Sequence, residues 1–244
     1  MDLITGRPLP VFERLRRSTQ TEVLDGSVDS RELALILSDL ARFNGAMLGR
    51  WLIVRWLNHA LRRLPPQQPV TLLDVGCGYG DLLREVRHWA QRHDRAIKLV
   101  GLDLNPQVIA IARAKTDAAD GIEYYAADIF DYQPPHPIDV VTTSLVTHHL
   151  SDTMIVRLLR WLETTSHKGW LICDLQRSIV PFHFIALAGR LLRLHPVVTY
   201  DGRVSVARSL TREEWQEAIL AAGIPTSALN IRSFMFRLMI GRMK

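Results

Sequence analysis

One stretch near residue 75 constrains the fold more than any other part of the chain. The run Val70 to Val75 is apolar, glycines occupy positions 76, 78 and 80, and apolar residues then recur at helical spacing from Leu82 to Ala90. Glycines at a strand-to-helix turn let the backbone approach a ligand that any Cβ atom would exclude. The pattern therefore predicts an α/β protein that binds a ligand at this turn.

Acidic residues around the turn indicate what kind of ligand it binds. Asp81 stands where the dinucleotide pattern G-x-G-x-x-G has its third glycine. A pyrophosphate at a helix N-terminus is favoured by the helix dipole, and a carboxylate at that position opposes it. Asp74 and Asp81 flank the turn, so the pattern favours a ligand with positive charge, such as an amino group or a sulfonium.

Two further strands are predicted, and each is followed by an acid. Lys98 to Leu102 precedes Asp103, and an acid at the tip of the second strand can accept hydrogen bonds from both hydroxyls of a ribose. Asn105-Pro106 then supplies an N-cap with proline at the first helical position. Ile122 to Ala126 precedes Asp128-Ile129, where the edge of a purine would lie.

These motifs, together with Ile138 to His149 and Trp170 to Asp174, resemble those of class I S-adenosylmethionine-dependent methyltransferases over about residues 70–175. The resemblance implies an α/β, Rossmann-like, doubly wound sheet of seven strands. It also implies S-adenosylmethionine as cofactor, S-adenosylhomocysteine as product, and no metal. The residues that it assigns to the cofactor are Asp74, Gly76, Cys77, Gly78, Gly80, Asp103, Leu104, Asp128, Ile129 and Ser144.

Two parts of the chain lie outside that match. Residues 1–69 are expected to form an N-terminal arm (1–30) and a cap of one or two helices, and residues 70–244 the methyltransferase domain. A lid insertion is expected at about 178–210, because Ser178 to Leu194 is apolar nearly all round; His195 to Leu210 is predicted as a loop. An interfacial membrane helix and a dimer contact remain alternatives for the apolar segment.

The start of the chain carries a second, narrower resemblance. Glu22 to Asp25 and Asn44 to Arg50 are similar to the corresponding segments of bacterial methyltransferases found beside polyketide-type biosynthetic enzymes. Arg50 is a candidate to reach the methionine carboxylate, although a solvated helix arginine is the commoner role.

Methyl transfer from a sulfonium requires chiefly positioning and exclusion of water, and a hydroxyl acceptor also benefits from a base that titrates near neutral pH. His148 and His149 follow the fourth strand, where the family places substrate-facing groups, and are the catalytic candidates, with His148 ahead. They alternatively close the cofactor pocket or cap a helix. Arg177, His183 and Tyr200 are weaker candidates for an acceptor pocket.

The sequence lacks the features of several other methyltransferases. The Asn/Asp-Pro-Pro-Tyr/Phe motif of many amino-group methyltransferases is replaced by Thr143 to Val146, and neither cysteine is placed as a nucleophile. We therefore expect O-methylation of a small apolar acceptor, aromatic or polyketide-like, in secondary metabolism. The alternatives are C-methylation of a quinone precursor at the membrane, RNA methylation, and a non-catalytic module that binds S-adenosylmethionine.

Charge and cysteine content bear on partners and compartment. The net charge is +5, but residues 1–70, 71–177 and 178–244 carry +3, −3 and +5, so the basic excess lies at the ends of the chain. Nucleic acid is therefore an unlikely partner. Cys77 and Cys173 lack a metal-binding spacing and are expected to be reduced, in a cytoplasmic protein with peripheral membrane contact as an alternative. The chain is expected to be a monomer or a homodimer.

Overall fold

The computed structural model describes residues 6–244 and contains a seven-stranded sheet of order β3-β2-β1-β4-β5-β7-β6. The strand β7 pairs antiparallel with β5 and β6, and the other pairs are parallel. The predicted doubly wound sheet of seven strands is therefore confirmed. Its strands are β1 Val70–Val75, β2 Ile97–Asp103, β3 Ile122–Ala126, β4 Ile138–Ser144, β5 Ser166–Leu175, β6 Asn230–Phe234 and β7 Arg237–Met243.

Eight α-helices surround the sheet in the described part of the chain. They are α1 Ser30–Ala46, α2 Gly49–Leu61, α3 Asp81–Arg92, α4 Pro106–Ala114, α5 Asp152–Thr165, α6 Ile179–Leu191, α7 Pro196–Arg208 and α8 Arg212–Ala221. One buried cluster joins α2, α3 and α4 to the sheet, and a second joins α5 and α8 to its other face. Both faces of the central strands are thereby covered, which explains why those strands are continuous apolar runs.

The N-terminal segment contains two helices, whereas the sequence left open whether it forms one or two. The α1 helix ends at Ala46, and Leu48 adopts a left-handed conformation (φ 58°) before α2 begins at Gly49. Leu57 and Leu61 of α2 pack against the sheet, whereas Ile36 of α1 packs against α6 and α7.

The segment predicted as a loop at His195 to Leu210 is a helix, so that prediction was wrong. The side chain of His195 caps α7, and Pro196 occupies its first turn. Its buried valines, Val197, Val198, Val204 and Val206, face several directions, so the segment shows no amphipathic period. The apolar segment before it forms α6, which is buried along one face and exposes Leu187 and Leu191 on the other.

Residues 6–29 form an arm without helix or strand that crosses α7; residues 1–5 of the predicted arm lie outside the described residues. The Asp201 carboxylate accepts hydrogen bonds from the backbone N–H groups of Val23 and Leu24 at 2.7 and 3.1 Å. Ser18 N–H donates to the carbonyl of Ala207 at 3.0 Å. Within residues 6–244, no helix combines the length and apolarity needed to cross a bilayer.

Candidate active site

A cavity of about 630 Å³ opens at the carboxyl ends of the central strands. One end is lined by the glycine turn and the tips of β2 and β3, and the other by the arm, α1, α6 and α7. The glycine turn belongs to the predicted cofactor site and the helices to the predicted lid. Both predicted sites therefore share one cavity.

The glycine turn is shaped by backbone hydrogen bonds and by positive φ angles. Gly76, Gly78 and Gly80 have φ of +68°, +50° and +74°. The N–H groups of Gly76 and Cys77 both donate to the Leu102 carbonyl, at 2.7 and 3.0 Å. Left-handed angles of this kind favour glycine, so the spacing of the motif follows from the conformation of the turn.

Gly80 does not line the cavity, in contrast to its predicted role at the cofactor. A Cβ atom at this position would lie 2.4 Å from the hydroxyl oxygen of Tyr124, so glycine is required here by packing behind the turn. At Gly76, a Cβ atom would lie 2.1 Å from Cγ2 of Val146 in the loop after β4. The glycine turn therefore packs closely against the loop that carries the two histidines.

Asp103 at the end of β2 is hydrogen-bonded to the backbone of the glycine turn. Its Oδ2 atom accepts a hydrogen bond from Gly78 N–H at 3.1 Å, and its Oδ1 atom accepts one from Asn105 N–H at 3.0 Å. Burial raises the pKa of the Asp103 carboxyl, although these backbone donors act in the opposite direction. Because an ionised carboxylate offers about four acceptor positions, Asp103 retains capacity for ligand hydroxyls.

Asp74 lies beneath the turn, where it accepts a hydrogen bond from Thr142 Oγ1 at 2.9 Å. Burial raises the pKa of Asp74 to about 7, and the nearby carboxylates of Asp81 and Asp103 add to the rise. Arg50 of α2 lies above the turn, with its Nη1 atom 2.6 Å from Oδ2 of Asp81. This ion pair brings one positive group to the cofactor end of the cavity.

The other predicted cofactor residues also line the cavity: Cys77, Leu104, Asp128, Ile129 and Ser144. The Asp128 carboxylate accepts a hydrogen bond from Phe130 N–H at 2.8 Å, which fixes the loop after β3. Burial raises the pKa of the Cys77 thiol, so it stays protonated at neutral pH. Arg177, His183 and Tyr200 are not among the lining residues; Arg177 is instead buried against Glu214.

His148 lies at the wall of the cavity and is 3% exposed. Its Nδ1 atom donates to Oδ1 of Asp174 at 2.8 Å, and Asp174 also accepts hydrogen bonds from the N–H and hydroxyl of Thr147. Burial alone would raise the pKa of Asp174, but His148 and Thr147 together hold it well below its usual range. An ionised Asp174 keeps a proton on Nδ1, so Nε2 is the ring nitrogen that faces Glu22.

His149 is arranged in the same way with a residue of the arm. Its Nδ1 atom donates to Oδ1 of Asp25 at 2.9 Å, and Arg208 of α7 donates to Oδ2 of Asp25 at 2.7 Å. Burial acts to raise the pKa of Asp25, but these two hydrogen bonds hold it well below its usual range. The rings of His148 and His149 lie 4.3 Å apart between their centroids.

Glu22 of the arm faces both histidines. Its carboxylate oxygens lie 3.5 Å from Nε2 of His148 and 3.8 Å from Nε2 of His149. Ser205 Oγ donates to Oε1 of Glu22 at 2.8 Å. Burial raises the pKa of Glu22 to about 7, partly offset by His149.

Sequence reasoning missed Glu22, Asp25, Asp174 and Asp201 as site residues. Asp174 follows the apolar core of β5 and therefore lies at the carboxyl edge of the sheet, as Asp74 and Asp103 do; that position was a usable signal. Glu22 and Asp25 lie in the segment noted for its resemblance to biosynthetic methyltransferases, but no local pattern indicates that an arm returns to the sheet.

The strand order, the antiparallel β7 and the glycine turn after β1 form the Rossmann-like fold that the resemblance to class I methyltransferases implies. Residues 72–169 match the protein family described as "Methyltransferase domain". The chain therefore carries a methyltransferase domain of the S-adenosylmethionine-dependent class I type.

Two curated relatives match parts of the chain. Trans-aconitate 2-methyltransferase of Streptomyces avermitilis is 29% identical over 138 residues, which cover 54% of this chain and 48% of the relative. The probable ribosomal RNA small subunit methyltransferase A of Methanosarcina mazei is 30% identical over 101 residues, 41% of this chain and 34% of the relative. The chain thus spans less than half the length of each.

A solved structure matches over more of the chain. The plantazolicin methyltransferase BpumL, in complex with a monoazolic desmethylPZN analog and S-adenosylhomocysteine, aligns with a TM-score of 0.63. The alignment covers 88% of this chain and 97% of that chain at 16% identity, and it shows a shared fold.

Proposed function

We propose that this protein transfers a methyl group from S-adenosylmethionine to a hydroxyl of a small apolar acceptor. The observation that carries the proposal is the position of His148, which is hydrogen-bonded through Nδ1 to Asp174 and lines the same cavity as the glycine turn. The aromatic or polyketide-like acceptor class is supported by the apolar chamber described below and by the narrower resemblance of the arm.

The cofactor end of the cavity fits S-adenosylmethionine. Gly76 and Gly78 provide a turn free of side chains, Asp103 has spare acceptor capacity for ribose hydroxyls, and Asp128 with Ile129 offers an acid and an apolar contact for adenine. When bound, this cofactor supplies an electrophilic methyl group on a sulfonium. Arg50, already paired with Asp81, is the group proposed to hold the methionine carboxylate.

The acceptor end is a chamber closed by helices. Apolar side chains from α1, α6, α7 and the segment between α1 and α2 line it: Leu37, Leu40, Phe43, Met47, Ile185 and Val198. We propose that α6 and α7 are the lid of this chamber, inserted between β5 and α8. The lining would bind an apolar body and exclude water from the reacting groups.

His148 is proposed as the base that accepts the proton of the acceptor hydroxyl. Asp174 fixes the orientation of the imidazole and stabilises the imidazolium that forms, as a buried carboxylate does in other histidine bases. His149 and Glu22 then border the position of the acceptor oxygen. General-base assistance of this kind contributes about 100-fold to 10,000-fold in rate.

The test uses methyl-labelled S-adenosylmethionine with an organic extract of the host cell, and in parallel with its total RNA. We expect label in the organic fraction, with the chemical shift of an O-methyl carbon. We expect His148→Ala to bind the cofactor normally and to lose about 100-fold or more in rate, whereas the exposed His167→Ala serves as the matched control with unchanged turnover.

Other outcomes would support the alternatives. Label in RNA would favour an RNA methyltransferase and would leave the apolar chamber without a role in catalysis. A carbon-bound methyl on an isoprenoid quinone precursor would favour the membrane-associated alternative. Unchanged turnover in His148→Ala would show that the base assignment is wrong.

A further inference from the structure

Three hydrogen-bond acceptors converge at the acceptor end of the cavity. The carboxylate of Glu22, Nε2 of His148 and Nε2 of His149 all lie within 4.8 Å of one another. The two distances from imidazole nitrogen to carboxylate oxygen, 3.5 and 3.8 Å, exceed those of ordinary N–H···O hydrogen bonds. The histidines therefore face Glu22 without donating to it.

A carboxylate on the far side of each ring orients both imidazoles. Asp174 accepts the Nδ1 proton of His148 at 2.8 Å, and Asp25 accepts that of His149 at 2.9 Å. A neutral imidazole whose Nδ1–H is bonded in this way directs the lone pair of Nε2 forward. Histidines that bind metals usually have this arrangement, with the remote N–H held by a carboxylate that orients the ring.

The surroundings carry an excess of negative charge. Glu22, Asp25, Asp174 and Asp201 contribute four carboxyl groups within and around the cluster. Three arginines lie beside them: Arg208 pairs with Asp25 at 2.7 Å, Arg7 donates to the Glu22 carbonyl at 2.8 Å, and Arg17 donates to the His148 carbonyl at 3.4 Å. Glu22 and His148 are buried, so this charge is poorly screened by solvent. Three converging lone-pair groups in such a field are stabilised by a cation between them.

We propose that Glu22, His148 and His149 bind one divalent metal ion of the Zn²⁺ type, with a fourth position open to the cavity. Tetrahedral bonds of about 2.0–2.1 Å place neighbouring ligand atoms about 3.3 Å apart. Nε2 of His148 lies 3.5 Å from Oε1 of Glu22 and Nε2 of His149 lies 3.8 Å from Oε2, so the three groups would close around an ion by small side-chain rotations. Two imidazoles and one carboxylate with an open position form a ligand set known from catalytic zinc sites. This proposal goes beyond the sequence-based expectation of no metal.

The ion would change how the acceptor is activated in the proposed function. An ion bound to Nε2 of His148 would replace the base role proposed for that atom, and its open coordination position would hold and polarise the acceptor oxygen as a Lewis acid. Asp174 and Asp25 would then act as positioning residues for the two metal-binding imidazoles.

The test measures metal binding by the full chain in the absence of cofactor and acceptor. Protein treated with a chelator and then dialysed is titrated with Zn²⁺ by calorimetry and with Co²⁺ by visible absorption, which reports the coordination geometry. We expect one equivalent to bind. We expect Glu22→Gln and His149→Ala each to weaken binding by about 10-fold to 100-fold or more, and the control His167→Ala to bind like the wild type.

Circular dichroism shows whether each variant is folded, so that unfolding is not mistaken for loss of a metal ligand. His149 is only part-buried, so His149→Ala is expected to remain folded, and Zn²⁺ should raise the Tm of the wild type but not that of this variant. The proposal would be overturned if the wild type bound no metal, or if Glu22→Gln and His149→Ala bound it as tightly as the wild type does. Failure of metal binding leaves methyl transfer with His148 as base intact. Confirmed metal binding would replace His148 as the base but not methyl transfer itself, and metal binding without methyl transfer refutes only the proposed function.

Discussion

Replacement of Asp103 by asparagine tests the cofactor site without knowledge of the acceptor. The side chain keeps its shape and one acceptor oxygen, but it loses its charge. In the structure its two oxygens accept hydrogen bonds from the N–H groups of Gly78 and Asn105, so the variant can keep one of these contacts. What it loses is the charge-assisted acceptance of ribose hydroxyls.

The expected magnitude follows from hydrogen bonds to a charged group, each of which contributes about 1.5–3 kcal/mol. Loss of about 2 kcal/mol corresponds to about 30-fold weaker binding of S-adenosylmethionine. Stability should not fall in parallel. Burial raises the pKa of Asp103, so the folded state already disfavours its charged form and asparagine removes that cost.

Calorimetric titration with S-adenosylhomocysteine gives the Kd, and thermal melting gives the stability of the same preparations. Asp131→Asn is the matched control, since Asp131 is an exposed carboxylate in the loop after β3 and does not line the cavity. An unchanged Kd in Asp103→Asn would refute the ribose assignment. A lower Tm that accompanies the loss of affinity would mean that Asp103 acts by stabilising the conformation of the glycine turn.

Gly76 and Asp74 give the remaining predictions. Gly76→Ala combines a positive φ with a Cβ atom 2.1 Å from Val146, so urea denaturation should show a free energy of unfolding lower by about 2–4 kcal/mol. The control Gly121→Ala shares the positive φ but has nothing within 4 Å of its Cβ atom, so its free energy of unfolding should fall by only about 1 kcal/mol. An equal fall in the free energy of unfolding in the two variants would contradict the argument that Val146 leaves no room for a Cβ atom at Gly76. The folded pKa of Asp74, about 7, exceeds its unfolded value of 3.8, so the free energy of unfolding should fall as pH rises from 4 to 7, by at most about 4 kcal/mol. Asp74→Asn should remove this part of the pH dependence, and an unaltered slope would show that Asp74 is ionised throughout.

The geometry of the glycine-turn end of the cavity was predictable because each of its parts is local in sequence. The turn at Gly76 joins one strand to one helix, and Asp103 follows the next strand directly, so parallel pairing of β1 and β2 brings the two together. Gly80 shows the limit of such reasoning, because glycine was required there by the ring of Tyr124 rather than by a ligand.

The α7 helix was missed because its stability comes from tertiary packing. Valines at 197, 198, 204 and 206 have modest helix propensity and point into different neighbours, so neither propensity nor period indicates a helix. The pair His195-Pro196 was an available signal, since it repeats the cap-and-proline pattern predicted correctly at Asn105-Pro106. The turn-forming residues from Tyr200 to Gly202 led instead to the prediction of a loop.

The attachment of the arm to α7 has a consequence for how the protein is made. Val23 donates to Asp201 across 178 residues of sequence, and Arg208 reaches Asp25 across 183. During synthesis the arm leaves the ribosome long before α7 exists, so Glu22 lacks its partner Ser205, and Asp25 its partner Arg208, until α7 has been translated. The sheet strands β1 to β5 precede α7 and are available to pair earlier. The helical end of the cavity is therefore completed late, and a nascent chain stalled before residue 201 has the glycine turn but lacks most of α7.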